Sequence, residues 1–436
     1  MGGPQVGVAG QPFTWPAGKT IQYRVDGGPL AKNPSGVAVI NNATGVSRVQ
    51  SMFNVWQAVP TANISYQNVG GILPVGAFVG GDVQTAAEFD AVDGDCQNGR
   101  QSAIIFDADG TIFDQLVGDP SVIGFAGICA VDPATGNVVS GDGVLNGRFQ
   151  DGVNNASTGN FELTTNEFNQ AFTHEFGHFS GLDHSQINVD VLNQSPSFCS
   201  FDEVVGLPLM FPILQCQARV TAGLPALAPD DIAWISFLYP VQSPAPPGKQ
   251  AFSSVYGVIH GNVLFSDGQT GAQGVNVIAR QVDNPSTPQN ESLRVAFSVV
   301  SGYRFTDDIG QSVSCPDPVN NPTGTGCNVA GDSLGSRDTT LVGSFDIPVL
   351  AGTYTLSVES IDPGFVAGSG VGPLRLPIPM PGTAPAPATV TVTPGQTVNS
   401  DIKLQGTPSR FDSFESSELF APPQFADDMF AQGEGA

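Results

Sequence analysis

Three of the four histidines in this chain fall in the run HEFGHFSGLDH, residues 174–184, and that run restricts the local fold sharply. On an α-helix, residues four apart lie one turn apart on one face, so His174 and His178 can bring both imidazoles to one point. Phe168, Phe172, Phe176 and Phe179 form a separate stripe suited to a core, so one helix can pack on one side and hold a metal on the other. Thr164 with Glu167 is a capping-box signature, and Gly181 can take the left-handed turn that stops a helix. A helix over about Thr165 to Gly181 follows. His184 then arrives from outside it as a third ligand. Three histidines leave the fourth tetrahedral position open, which is the catalytic rather than the structural zinc pattern. Glu175, beside His174, is placed to take a proton from a water at that ion.

Along the rest of the chain, Thr20 to Val25, Asn63 to Tyr66 and Ser102 to Phe106 read as strands. Val46, Val49, Phe53 and Trp56 recur at helical spacing within Gly45 to Val59. A last helix is expected over Pro229 to Tyr239, with Ile232, Ile235 and Leu238 facing inward. The stretch PVQSPAPPGKQ, Pro240 to Gln250, is dense enough in proline to act as a semi-rigid linker, and a chain ending near Pro240 is expected to fold alone. Beyond it, Gly257–Phe265, Val275–Arg280, Gly343–Val349 and Thr353–Val358 alternate or carry β-branched residues, the pattern of an all-β sandwich. Residues from about Gly406 read as a mobile acidic tail. Charged residues make up only 13% of the chain, which argues for strands and loops over long charged helices. The expected class is α+β and multidomain, with units at 1–240, 256–405 and 406–436 and a linker at 241–255.

A net charge of −25 argues against nucleic acid and against an anionic membrane surface as partners. No apolar run is long enough to span a bilayer, so no membrane insertion is expected. Six cysteines, with no CxxC pair among them, fit disulfides in an oxidising compartment and a secreted or cell-surface protein. Six cysteines allow fifteen connectivities; neighbour pairing, Cys96–Cys129, Cys199–Cys216 and Cys315–Cys327, is the simplest because it stays within domains. No signal peptide is visible at MGGPQVGVAGQPF, so a mature or truncated form is supposed. Asp107, Asp109 and Asp114 cluster on a turn after a strand and are candidate Ca²⁺ ligands, with a plain solvated turn as the alternative. His260, on an expected strand with no partner histidine nearby, reads as structural.

HExxHxxGxxH followed by a methionine turn resembles the metzincin zinc peptidases, and the flanks resemble the matrixin branch. Leu182 to Ser185 (LDHS) resembles the end of the matrixin zinc motif, Leu209 to Pro212 (LMFP) its Met-turn, and Leu227 to Pro240 (LAPDDIAWISFLYP) its closing helix. The likeness covers roughly residues 14 to 240. It implies a catalytic domain with a five-stranded twisted mixed sheet, an active-site helix, and a cleft in which an extended peptide aligns with an edge strand. It also implies zinc on His174, His178 and His184, Glu175 as the base, and Met210 as the floor beneath the ligands. The stretch from His184 to Met210 is longer than in matrixins and carries Cys199, with Cys216 beyond the turn, so a disulfide there could pin an enlarged cleft loop. The second half resembles the carboxypeptidase regulatory-like (transthyretin-like) β-sandwich, in GVIHGNVLFSDGQTGAQGVNVIARQ, GSFDIPVLAGTYTLSVE and VTVTPGQTVNSDIKL. The expected function is a zinc-dependent endopeptidase, a peptide-bond hydrolase acting on protein or peptide substrates as a monomer. Two alternatives stand beside it: an inactive adhesion or binding protein on a metzincin scaffold, and a surface protein whose sandwich is the working part.

Overall fold

A computed structural model describes residues 12–116, 122–132, 135–154, 161–185, 187, 199–211, 216–272, 275–302, 341, 343–359 and 384–405. The tail from 406, and Cys315 with Cys327, lie outside the described residues. The chain opens with β1 (Ile21–Val25), a short pair β2 (Ala31–Lys32) and β3 (Ala38–Ile40), α1 (Asn42–Gln57) and β4 (Tyr66–Gly71). There follow α2 (Ala86–Gln97), β5 (Ala103–Asp107), α3 (Thr111–Leu116), β6 (Gly124–Val131) and β7 (Val138–Asn146). Then come α4 (Thr165–Phe179), α5 (Phe201–Gly206) and α6 (Pro229–Leu238). The second half holds β8 (Tyr256–Leu264), β9 (Asn276–Gln281), α7 (Glu291–Arg294) and β10 (Ala296–Val300). It closes with β11 (Ser344–Leu350), β12 (Gly352–Glu359), β13 (Ala388–Val392), β14 (Thr397–Asn399) and β15 (Ile402–Lys403). The protein is thus mixed α and β, with more than one sheet.

The first half is built on a five-stranded sheet in the order β4-β1-β5-β7-β6. Its first four strands run parallel, and the edge strand β6 pairs antiparallel with β7, Ala126 opposite Gly143. Helices α1 and α4 cover one face. Phe53 of α1 stacks on Phe176 of α4 with ring centroids 4.0 Å apart, and the indole of Trp56 donates to the Thr173 carbonyl at 2.7 Å. A smaller cluster on the opposite face gathers Phe89, Phe113 and Phe125 under α2. The strand expected at Asn63 begins instead at Tyr66, because Ala62 and Asn63 are engaged by Pro240 and Tyr239 of the chain leaving α6.

The second half packs a four-stranded sheet, β10-β9-β12-β13, against a sheet in the order β11-β8-β14, with β15 also on β8. His260 of β8 pairs its Nδ1 with Asp346 of β11 at 2.8 Å, in keeping with a structural role. Helix α6 lies between the halves. Ile235 is buried as expected, but so are Ala233 and Trp234, whereas Ile232 and Leu238 are only partly covered. The reason is that the sandwich covers a second side of the helix: the Trp234 indole donates to the Ser298 carbonyl at 3.1 Å. Buried side chains of both halves form one contiguous core. The proline-rich stretch is fastened down as well. Val241 N donates to Thr61 O at 3.1 Å, Gln250 N to Pro60 O at 2.9 Å, and Lys249 Nζ to the carbonyls of Gln57, Val59 and Ala62 at 2.9 Å each.

Candidate metal centre

Helix α4 starts as its sequence dictates. Thr164 accepts from Glu167 N, and Glu167 reaches back to Thr164 N at 2.8 Å. All four phenylalanines of the stripe are fully buried. The helix stops after Phe179, where Gly181 takes φ +90° and turns the chain back toward its own face. This brings His184 to His174 and His178. The three Nε2 atoms stand 3.1, 3.1 and 3.3 Å apart, and all three rings are buried.

Two of the rings are locked from behind. His174 Nδ1 donates to Leu209 O at 2.7 Å, and His178 Nδ1 donates to Leu182 O at 2.8 Å. A carbonyl can only accept, so these bonds place the ring proton on Nδ1 and leave a lone pair on each Nε2. Buried lone pairs directed at one another are stabilised by a cation shared between them. Tetrahedral nitrogens about 2.0–2.1 Å from a zinc ion stand ~3.3 Å apart, which is the spacing seen here. The residues present therefore fit a metal ion.

Around this cluster, Met210 packs against α4 at Gly177, where a Cβ would lie only 2.3 Å from its Sδ. Its carbonyl accepts from Ser185 N at 2.7 Å. Glu175 is buried beside the histidines, and its Oε2 accepts from Ala126 N of the edge strand β6 at 3.1 Å. The carboxylate thus links the histidine helix to the edge strand β6. Cys199 pairs with Cys216 and Cys96 with Cys129, each with Cα atoms 5.7 Å apart, as neighbour pairing implied.

Sequence reasoning missed the residue that holds the turn before Met210. Asp231, in the first turn of α6, accepts from Leu209 N at 2.8 Å, Met210 N at 3.0 Å and Ala228 N at 2.7 Å. Burial still pushes its carboxyl above the ordinary range, while those three N–H groups and the Arg219 guanidinium pull the other way. The adjacent pair Asp230-Asp231 after Pro229 was the available signal, since an acidic first turn is usually just a helix start.

The turn of the candidate calcium ligands is engaged by protein groups. Arg148 forks over Asp114 at 2.6 and 2.9 Å and donates through Nε to Asp109 O, so a guanidinium already neutralises that turn. Asp107 is buried, accepts from Phe113 N at the start of α3, and is pushed up to about 6 by burial. Among the described residues, only one other trio of metal-capable side chains gathers within 4.8 Å: Asp93, Cys129 and Asp142. Cys129 is committed to its disulfide, which leaves two facing carboxyls. Burial holds both above the usual carboxylate range, Asp142 well above, with the charge of Asp93 adding to the shift of Asp142 and that of Asp90 to the shift of Asp93. The fold therefore favours the protonated form of Asp142. A raised folded-state value gives stability that is complete in acid and lost as pH rises through that value. Asp142→Asn should then raise the melting temperature by a few °C (~3–6 °C) at pH 8 and change it little at pH 4. Thermal melts across that range check this, and an equal shift at both ends would rule out a raised Asp142 carboxyl.

No family model matches the chain, and no curated protein matches it. Among solved structures, the GM1 bound form of the ECX AB5 holotoxin is similar at 15% identity with a TM-score of 0.21, covering 42% of this chain and 62% of that chain. A score that low carries no argument for either fold or function.

Proposed function

We propose that the protein is a zinc-dependent endopeptidase of the metzincin type, nearest to the matrixins, with residues 1–240 as its catalytic unit and 256–405 as a carboxypeptidase regulatory-like sandwich. The observation that carries this is the meeting of three buried Nε2 atoms, two of them with their Nδ1 protons tied to carbonyls. Zinc held there by His174, His178 and His184 would supply a Lewis acid with one open position for water and substrate. Glu175 accepts the proton of the attacking water and hands it to the leaving amine. Its bond to Ala126 N orients the carboxylate toward the edge strand β6, along which an extended peptide would align. Met210 keeps the floor beneath the helix ligands packed. The two disulfides and the absence of a long apolar helix among the described residues accord with an extracellular setting.

The test is cleavage of an unfolded protein by the purified full chain, with and without a zinc chelator. Cleavage that the chelator abolishes and added zinc restores is the expected result. A chain that binds zinc at the three histidines but cuts no peptide would instead mark a binding protein on the same scaffold.

A further inference from the structure

Among the described residues, strand β10 is an edge of its sheet, so a backbone group it turns outward meets no strand of that sheet. At Ser298, fully buried in the middle of β10, helix α6 takes both groups. Ser298 N donates to Asp230 Oδ1 at 3.2 Å, and Ser298 O accepts from the Trp234 indole at 3.1 Å. The other oxygen of Asp230 accepts from Ser185 Oγ at 2.7 Å. Ser185 directly follows His184 and is bonded through its own N–H to Met210 O. A buried chain of hydrogen bonds therefore runs from the sandwich to the residue beside the third histidine.

Two further grips act on the same neighbourhood. Arg280 of β9 donates to Ile187 O at 2.8 Å, just beyond His184. Asp202 of α5, inside the loop closed by Cys199–Cys216, pairs with Arg294 and accepts from Asn290 N at 3.2 Å. Packing there is close: a Cβ at Gly206 would lie 1.7 Å from Leu293 O. The three histidines differ in what places them. His174 and His178 ride on one rigid helix, whereas His184 follows the helix stop and depends on contacts from outside. The contacts that reach its neighbours Ser185 and Ile187 include two that end in the sandwich.

We propose that the β-sandwich is a working part of the metal centre, fixing the arm that carries His184, Ser185 and Ile187 through Asp230 and Arg280. The proposal rests on the zinc reading above. Asp230 and Arg280 act as positioning residues: neither reaches the metal, and each restrains a segment that does. Partners of this kind commonly change metal affinity or activity by about 10–100-fold when removed.

The experiment measures transfer of zinc from the full chain to a chromogenic chelator, beside thermal melts. Asp230→Ala and Arg280→Met should each release zinc about 10–100 times faster than the parent. Arg280→Lys, which keeps a donor for Ile187 O, should restore much of the retention. Lys249→Met serves as the control, because it loosens the same junction at the far end, on the carbonyls of α1 and the turn after it. It should lower the melting temperature and leave zinc release at the parental rate. Parental release rates in both Asp230→Ala and Arg280→Met would overturn the proposal, and so would equal acceleration by Lys249→Met. Should Asp230→Ala fail to fold, Arg280→Met alone decides. A parent that takes up no zinc would overturn the metal reading itself, and this inference with it.

Discussion

Glu175→Gln should keep about one zinc per chain and lose at least about a hundredfold in cleavage rate, whereas His178→Ala should lose zinc and activity together. The two residues lie on the same helix and are equally buried, so general damage to the fold would affect them alike. Their chemistry separates them. The amide introduced by Glu175→Gln keeps the size of the side chain and an oxygen able to accept from Ala126 N at the observed 3.1 Å. It could not take a proton at neutral pH, so only the proton transfer is removed. His178→Ala instead takes away one of three converging nitrogens and leaves Leu182 O without its 2.8 Å donor. Metal analysis of each purified variant, beside cleavage of an internally quenched peptide, tells them apart. Undiminished cleavage by Glu175→Gln would show that another group moves the proton.

What is legible in the sequence is local. The active helix can be read because its cap, its phenylalanine stripe, its histidine spacing and its stop all act within about four residues of one another. Helix α2 carries the same kind of capping box at Thr85 and Glu88, yet it is not among the elements expected from the sequence, because Gly94 and scattered acidic residues blur its apolar face. Strands β6 and β7 are likewise lost among glycines. Gly141 and Gly124 are needed there because Phe179 and Phe172 of α4 press onto the sheet where a Cβ would sit. That demand comes from elsewhere in the chain, and no periodicity encodes it. The same holds for Asp230 and Asp231. In sequence they are an acidic first turn; in the fold their partners at Ser185, Leu209, Met210 and Ser298 lie 21 to 68 residues away. The three histidines and Glu175 can be named from the motif, but the groups that hold His184 in place cannot.

A chain ending at Pro240, expected from its proline content to fold on its own, should instead melt about 6–20 °C lower than the full protein and hold zinc poorly. Truncation there uncovers Trp234, which is only 1% exposed in the full chain, together with the side of α6 that meets β10 and β11. Uncovering a large aromatic side chain and its neighbours costs about 3–5 kcal/mol, and each kcal/mol is worth ~2–4 °C in a unit of this size. Truncation also removes the three bonds of Lys249 to the carbonyls after α1, the bond of Gln250 N to Pro60 O, and the Ser298 donor to Asp230. Trp234 and Asp230 sit on the helix that also carries Asp231, which clamps Leu209 and Met210. Loosening α6 therefore loosens the turn that receives His174 Nδ1 at Leu209 O. Calorimetric melts and zinc analysis of the two chains side by side give the answer. If the shorter chain melts within about 2 °C of the full protein and retains its zinc, the shared core contributes little and the sandwich is a detachable accessory.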